Sequence, residues 1–223
     1  MKKISLALCL IACMCIIFCS CTIKKEQTLN IQGNMELNVE QGENWLNKMK
    51  IFLFIYKDNS PQLAAWIEDE NGKYITTISV SEKANKRNWL GNPKGGRPEA
   101  LPVWSYRQKS ADVPETVTSA TRKKSFEAAI NKNLLTDGNT YNVFLEVNHS
   151  FDYNDYWTMD NSGVNGQPSL IYHTKFIAGQ QGKFPLIPIG HGSVDGNDGN
   201  IVRKLETLST ALNIIHNVSV VVK

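Results

Sequence analysis

The stretch PETVTSATRK, residues 114–123, places four hydroxyl side chains and one alanine between a proline and a basic run that Lys124 extends. Those residue types suit chemistry on a phosphate. The acid Glu115 could position magnesium, the Thr121 hydroxyl could accept a phosphoryl group, and Arg122, Lys123 and Lys124 could stabilise the charge of the resulting phosphodiester. Thr118, Ser119 and Ala120 are small enough to let a bulky phosphorylated chain approach the backbone. The plain alternative is a hydroxyl-rich turn leading into SFEAAI, with the basic residues solvated.

Other motifs carry less. GNPKGGRP has the glycine spacing of a phosphate loop, but Arg97 stands at the lysine and Pro98 at the magnesium-binding hydroxyl. GHGSVDG misses the dinucleotide fingerprint by one residue. The four histidines, His149, His173, His191 and His216, have no paired spacing; a fold that gathered His149, His173 and Glu146 would make a metal site, whereas satisfied strand histidines need no such convergence. DGNDGN offers Asp195, Asn197 and Asp198 as oxygen ligands for calcium on a flexible turn, without the bidentate glutamate that closes a calcium loop; tight Asx turns account for the same residues. Trp89, Trp104, Tyr153, Tyr156 and Trp157 form either a stacking platform for a flat ligand or plugs for the open ends of a sandwich. No nucleophile with a base and an orienting acid can be read, so the chain is expected not to be an enzyme.

The N-terminus sets the compartment. Two lysines precede an apolar run at 4–18 and the small-residue zone CSC, which is the layout of an export signal, and the run is shorter than the roughly 20 residues of a stable membrane-spanning helix. FCSC resembles the lipobox of bacterial lipoproteins, in which the cysteine is acylated and becomes the new N-terminus; Cys21 is the expected site, because cleavage before Cys13 would leave MCIIF on the mature chain. A cleaved secretory peptide with a soluble product is the other reading. All five cysteines lie at or before position 21, which leaves the exported domain without a disulfide framework or a cysteine nucleophile. Without residues 1–20 the chain has 22 basic and 21 acidic side chains, a balance that supplies no concentrated positive field for nucleic acid. The expected organisation is a signal peptide at 1–20, a lipidated tether at 21–32 and one domain at 33–223, anchored by lipid in the cell envelope on the periplasmic side of the outer membrane.

The elements that position these residues read as strands. TLNIQGNMELNVE alternates, IFLFIY is a continuous apolar run, and LAAWIEDENGKYITTISV gives two strands joined by a two-residue primed turn at Asn71-Gly72. Asp137-Gly138 precedes TYNVFLEVNHS, where Tyr141, Val143, Leu145 and Val147 share a face. SLIYHTKFIAG and NVSVVVK are further strands, and the spacing of Leu205, Leu208, Leu212 and Ile215 predicts a short helix near the C-terminus. The fold class is all-β, an immunoglobulin-like β-sandwich with a long irregular stretch at 82–124.

AAWIEDENGKYITTI, ALPVWSY, ETVTSATRK, GVNGQPSLIY and GHGSVDGNDGNI, in that order, resemble the predicted periplasmic proteins of domain of unknown function 2271. The resemblance covers about 33–223 and implies an immunoglobulin-type sandwich similar to that of flagellar hook-capping proteins. It implies no established activity, although members occur near flavin-handling and membrane redox components. Exported flavoproteins of other families carry FMN on a threonine within the pattern Asp, two free positions, Ser or Thr, Gly, Ala, Thr. Here Glu115 stands at the acid, Thr118 at the hydroxyl, Ser119 at the glycine, Ala120 at the alanine and Thr121 at the acceptor. The departures at Glu115 and Ser119 make architecture the preferred reading of the segment. The function expected is a non-catalytic binding module with a protein or small-ligand partner and no cofactor; the alternative is an electron carrier with covalent FMN on Thr121.

Overall fold

Alternation in MELNVEQ puts Met35, Leu37 and Val39 on one face, and strand β1 (Met35–Gln41) buries that face. The computed structural model describes residues 35–52, 55–86, 97–110 and 124–223, all within the unit Ile31–Lys223. The strands that follow are β2 (Asn47–Phe52), β3 (Ile55–Asn59), β4 (Gln62–Asp69), β5 (Tyr74–Val80), β6 (Phe126–Ala129), β7 (Thr140–Asn148), β8 (Leu170–Ile177), β9 (Gly182–Pro185), β10 (Ile187–His191) and β11 (Ile215–Val222). Among the described residues there are three short α-helices: α1 (Glu82–Lys86), α2 (Pro102–Ser110) and α3 (Met159–Ser162).

The architecture is an all-β sandwich of antiparallel sheets. One sheet has four strands in the order β6-β1-β11-β9, and the other has five in the order β10-β8-β7-β4-β5. Their inner faces meet in a core that includes Leu37, Val39, Val218 and Val220 from the first, and Ile67, Val143, Leu145, Val147 and Leu170 from the second. The face predicted for Tyr141, Val143, Leu145 and Val147 is buried as expected. Strand β4 is buried on both faces, which is why LAAWI is a continuous apolar run and not an alternating one. Its outward residues, Ala64 and Trp66, belong to a second cluster with Val80, Leu101, Val103, Trp104 and Ile171.

Four local expectations are corrected. IFLFIY is not one strand: Phe52 pairs with Ile55, so the run is divided between β2 and β3 of a hairpin. The β4–β5 turn is not the primed two-residue type. Gly72 N–H donates to Asp69 O at 3.1 Å, Asp69 N–H donates to Lys73 O at 2.9 Å, and in this turn only Gly72, at φ 80°, has a positive φ, which is a type I turn followed by a glycine bulge. Asp69 Oδ1 accepts the N–H groups of both Asn71 and Lys73 at 2.9 Å and fixes the loop. The stretch at 82–124 contains α1 and α2 among its described residues. Near the C-terminus the short helix is a 3-10 turn, Thr210–Asn213, that carries Leu212, while Leu205 and Leu208 reach the core from irregular chain and Ile215 opens β11.

Gly72→Val is expected to lower stability by about 1–2 kcal/mol, through backbone strain alone. An added Cβ would meet nothing closer than Glu68 Oε2 at 3.8 Å, so a clash does not contribute. An unchanged urea midpoint would contradict the left-handed assignment at this position.

Candidate ligand-binding face

The outer face of the five-stranded sheet carries side chains that a solvated strand surface does not need. Register aligns Trp66 of β4, Phe144 of β7 and His173 of β8 in one row across the sheet. Trp66 and Phe144 stack with centroids 5.2 Å apart and planes 15° apart, and Phe144 meets the His173 ring at 4.6 Å and 32°. Trp66 is fully buried, whereas Phe144 and His173 are half-buried. The row is therefore an aromatic shelf with a fixed inner end and an open outer end.

The next row holds Glu68, Asn142 and Lys175. Trp66 Nε1–H donates to Glu68 Oε1 at 2.9 Å, and Arg107 of α2 lies 3.6 Å from the same oxygen. Burial raises the Glu68 carboxyl above its usual range, against the lowering by Trp66 and Arg107. Asn142 donates its Nδ2–H to Asp69 O at 2.8 Å, which leaves Oδ1 to accept from His173 Nε2 at 2.9 Å. His173 is held below the ordinary imidazole range by burial first and then by the charges of Lys175 and Arg203. The shelf thus presents a neutral imidazole, a phenyl face and the cations Arg107, Lys175 and Arg203.

One wall of this face is α2, and it is held from a distance. Pro102 at its first position has no N–H to satisfy, and the next two donors, Val103 N–H at 3.2 Å and Trp104 N–H at 2.8 Å, both bond the Glu146 carboxylate of β7. Ser169 Oγ–H donates to the same group at 2.6 Å. Glu146 is wholly buried, and burial pushes its carboxyl up to about 7 against these three hydrogen bonds. Gly192 closes the site: a Cβ there would stand 2.6 Å from both Pro102 Cγ and Ser169 Oγ. Trp104 Nε1–H donates to Thr77 Oγ1 at 3.0 Å, which in turn meets the Tyr74 hydroxyl.

The residues singled out in the sequence are dispersed. Cys21, Trp89, and Glu115, Thr118, Ser119, Ala120 and Thr121 lie outside the described residues. Asp195 Oδ1 accepts from Asn197 N–H at 3.0 Å and Asp198 Oδ1 from Asn200 N–H at 2.9 Å, so both carboxylates close Asx turns. The Asn197 N–H holds the Asp195 carboxyl below its usual range. That loop packs on α2, with Gly199 against the Tyr106 ring. His149 and His173 are not gathered with Glu146, because His149 Nε2 bonds Asn44 O and Trp45 O at 3.0 and 3.1 Å. Among the described residues no three His, Cys, Asp or Glu side chains form a set able to hold a metal. The described aromatics do not share a platform: Trp104, on α2, is buried, Tyr153 bonds Gly163 O at 2.9 Å, and Tyr156 packs edge-on against Trp157 at 4.9 Å. Arg97, at the end of the glycine-rich loop, bonds Glu99 at 2.7 Å and Ser150 at 2.6 Å.

Among the described residues no helix is long and apolar enough to cross a membrane. No family model matches the chain, and neither a curated protein nor a solved structure matches it.

Proposed function

We propose that this protein is a non-catalytic binding module, anchored by lipid on Cys21 at the periplasmic side of the outer membrane, that takes a planar anionic ligand on the Phe144–His173 face. The envelope part of this reading rests on the basic start, the apolar run at 4–18, the clustering of cysteines at one end, and the motif order that resembles the periplasmic family. The observation that carries the binding part is the half-buried pair Phe144 and His173, seated on buried Trp66 and bordered by cations. Ring stacking gives affinity for a flat group, and the cations give preference for an acidic substituent.

FMN is a suitable probe because it is planar and carries a phosphate, and riboflavin is its uncharged control. Titration followed by flavin fluorescence is expected to show quenching by FMN binding, with riboflavin at least tenfold weaker. Phe144→Ala is expected to weaken FMN about tenfold, corresponding to about 1.4 kcal/mol of lost stacking. Equal binding of FMN by the parent and by Phe144→Ala, or no quenching with either flavin, would refute the assignment of the face.

A further inference from the structure

We infer that the exposed apolar patch between β7 and β8 is a docking surface for a partner protein that presents a segment of mixed basic and aliphatic side chains. Phe151, Tyr156, Met159 and Val164 are each 43–57 % exposed. Phe151 N–H donates to Val164 O at 2.9 Å, and the Tyr153 hydroxyl reaches Gly163 O at 2.9 Å and Met159 Sδ at 3.4 Å. Asn161 Nδ2–H donates to Tyr156 O at 2.7 Å, which ties the tyrosine to α3. Aromatic residues and methionine are the types enriched where proteins meet. Phe151 carries the argument furthest. Among the described residues it alone has a positive φ, 63°, without being glycine. That backbone is costly for a bulky side chain, and the ring recovers little of the cost by burial, since the residue stays 43 % exposed. Contact with a partner accounts for a phenylalanine that neither backbone preference nor the core selects. The loop is fixed from several sides: Thr210 Oγ1–H donates to Asp152 Oδ1 at 2.6 Å, and Asn154 Nδ2–H donates to Thr207 O at 2.9 Å. A surface held in place beforehand loses less freedom on association.

Charge selects the partner. Hydrogen bonds join this loop to two others, through Asn154 to Thr207, and from Asn44 Nδ2–H to Thr210 O at 3.0 Å. The three segments, 42–46, 149–167 and 205–213, contain Glu43, Asp152, Asp155, Asp160 and Glu206 and no lysine or arginine. The rest of the chain after residue 20 then holds 16 acids against 22 bases, so the negative charge is concentrated at this end. Arg97, which reaches Ser150 from outside these segments, is paired with Glu99 at 2.7 Å. Such a field repels nucleic acid and anionic lipid. A second copy fits badly. Two-fold pairing would set acid against acid, and pairing of this end with the basic remainder of another copy would not close. A segment with lysine or arginine for the carboxylates, and leucine-like side chains for the exposed rings, satisfies both features.

The test uses the chain from Thr22 onward, which keeps the whole of the unit Ile31–Lys223 and carries no lipid, so its outcome does not depend on Cys21. The probe is a peptide of about ten residues alternating lysine with leucine, titrated by calorimetry beside peptides alternating lysine with serine and glutamate with leucine. The lysine–leucine peptide is expected to bind at least tenfold more tightly than either control, and to weaken as salt is raised. Phe151→Asn is expected to weaken it about tenfold with the urea midpoint held, because asparagine tolerates the left-handed backbone. Asp155→Asn with Asp160→Asn is expected to weaken it at least threefold, and this variant decides the matter if the other fails to fold. Phe144→Ala lies on the flavin face and is expected to leave peptide binding unchanged, so the two assignments fail separately. Equal binding of the three peptides, undiminished binding by the aspartate variant, or loss of binding in Phe144→Ala would overturn the inference. A dimer in sedimentation velocity that is lost in Phe151→Asn would also overturn it, by making a second copy the occupant.

Discussion

Glu146→Ala is expected to destabilise the fold by about 3–5 kcal/mol, because it strands two buried N–H donors and a buried hydroxyl and leaves a cavity beneath α2. In a domain of this size that lowers the melting temperature by roughly 10 °C. The same residue gives stability a pH dependence of definite sign. In the unfolded chain its carboxyl titrates near 4.5 and in the fold near 7, so between these values the folded state holds a proton that the unfolded state has released. The contribution of Glu146 is greatest in acid and declines as pH rises from about 4.5 to about 7, by on the order of 3 kcal/mol. His149 and His173 act in the opposite direction: their lowered values cost stability as pH falls below the usual imidazole range. Comparison with Glu146→Gln separates the two, since the glutamine variant keeps the histidine dependence and loses that of the carboxyl. Urea denaturation of both proteins from pH 4.5 to 7.5 should show the parent losing its advantage as pH rises. A constant difference would mean that Glu146 is ionised throughout.

Trp66→Ala is expected to cost about 3–5 kcal/mol, because a fully buried indole is removed from the stack with Phe144 and the Glu68 carboxylate loses its Nε1–H donor. Trp66→Phe retains much of the volume and should cost less than half as much. The Ala variant should also weaken FMN although Trp66 is buried, since the Phe144 ring would lose the surface that holds it flat. Affinity unchanged in a folded Trp66→Ala protein would show that the shelf does not need its inner ring.

The sandwich was legible because inward residues alternate: MELNVEQ and TYNVFLEVN each show their buried face by period alone. The outer face was present in the same strings. Once Tyr141, Val143, Leu145 and Val147 are assigned inward, Phe144 and Glu146 are left on the supposed solvent side, and that mismatch is the local sign of a covered face. Its partners were not legible, because the pairing of Phe144 with Trp66 and His173 depends on register between strands far apart in sequence. Helix α2 escaped for a related reason. Its buried residues sit only in its first turn, Pro102 reads as a breaker, and its capping carboxylate stands 42 positions away from Trp104. The Asn71-Gly72 hairpin was correctly located, but the Asp69 side chain selected a different turn within it. IFLFIY reads as one strand because nothing polar marks the reversal between Phe52 and Ile55.

The pairing of β1 with β11 has a consequence for when this molecule can fold. Met35 lies opposite Val222 and Leu37 opposite Val220, so the first described strand of the chain is completed by the last. A chain that emerges N-terminus first cannot close the four-stranded sheet until β11 is out. Until then β1 has only the short β6 to pair with, across four residue positions. Such ordering makes folding slow to begin, because a loop of almost the whole domain must close before its contacts offset the lost entropy. Until β11 is in place, β1 also presents an open strand edge to other chains.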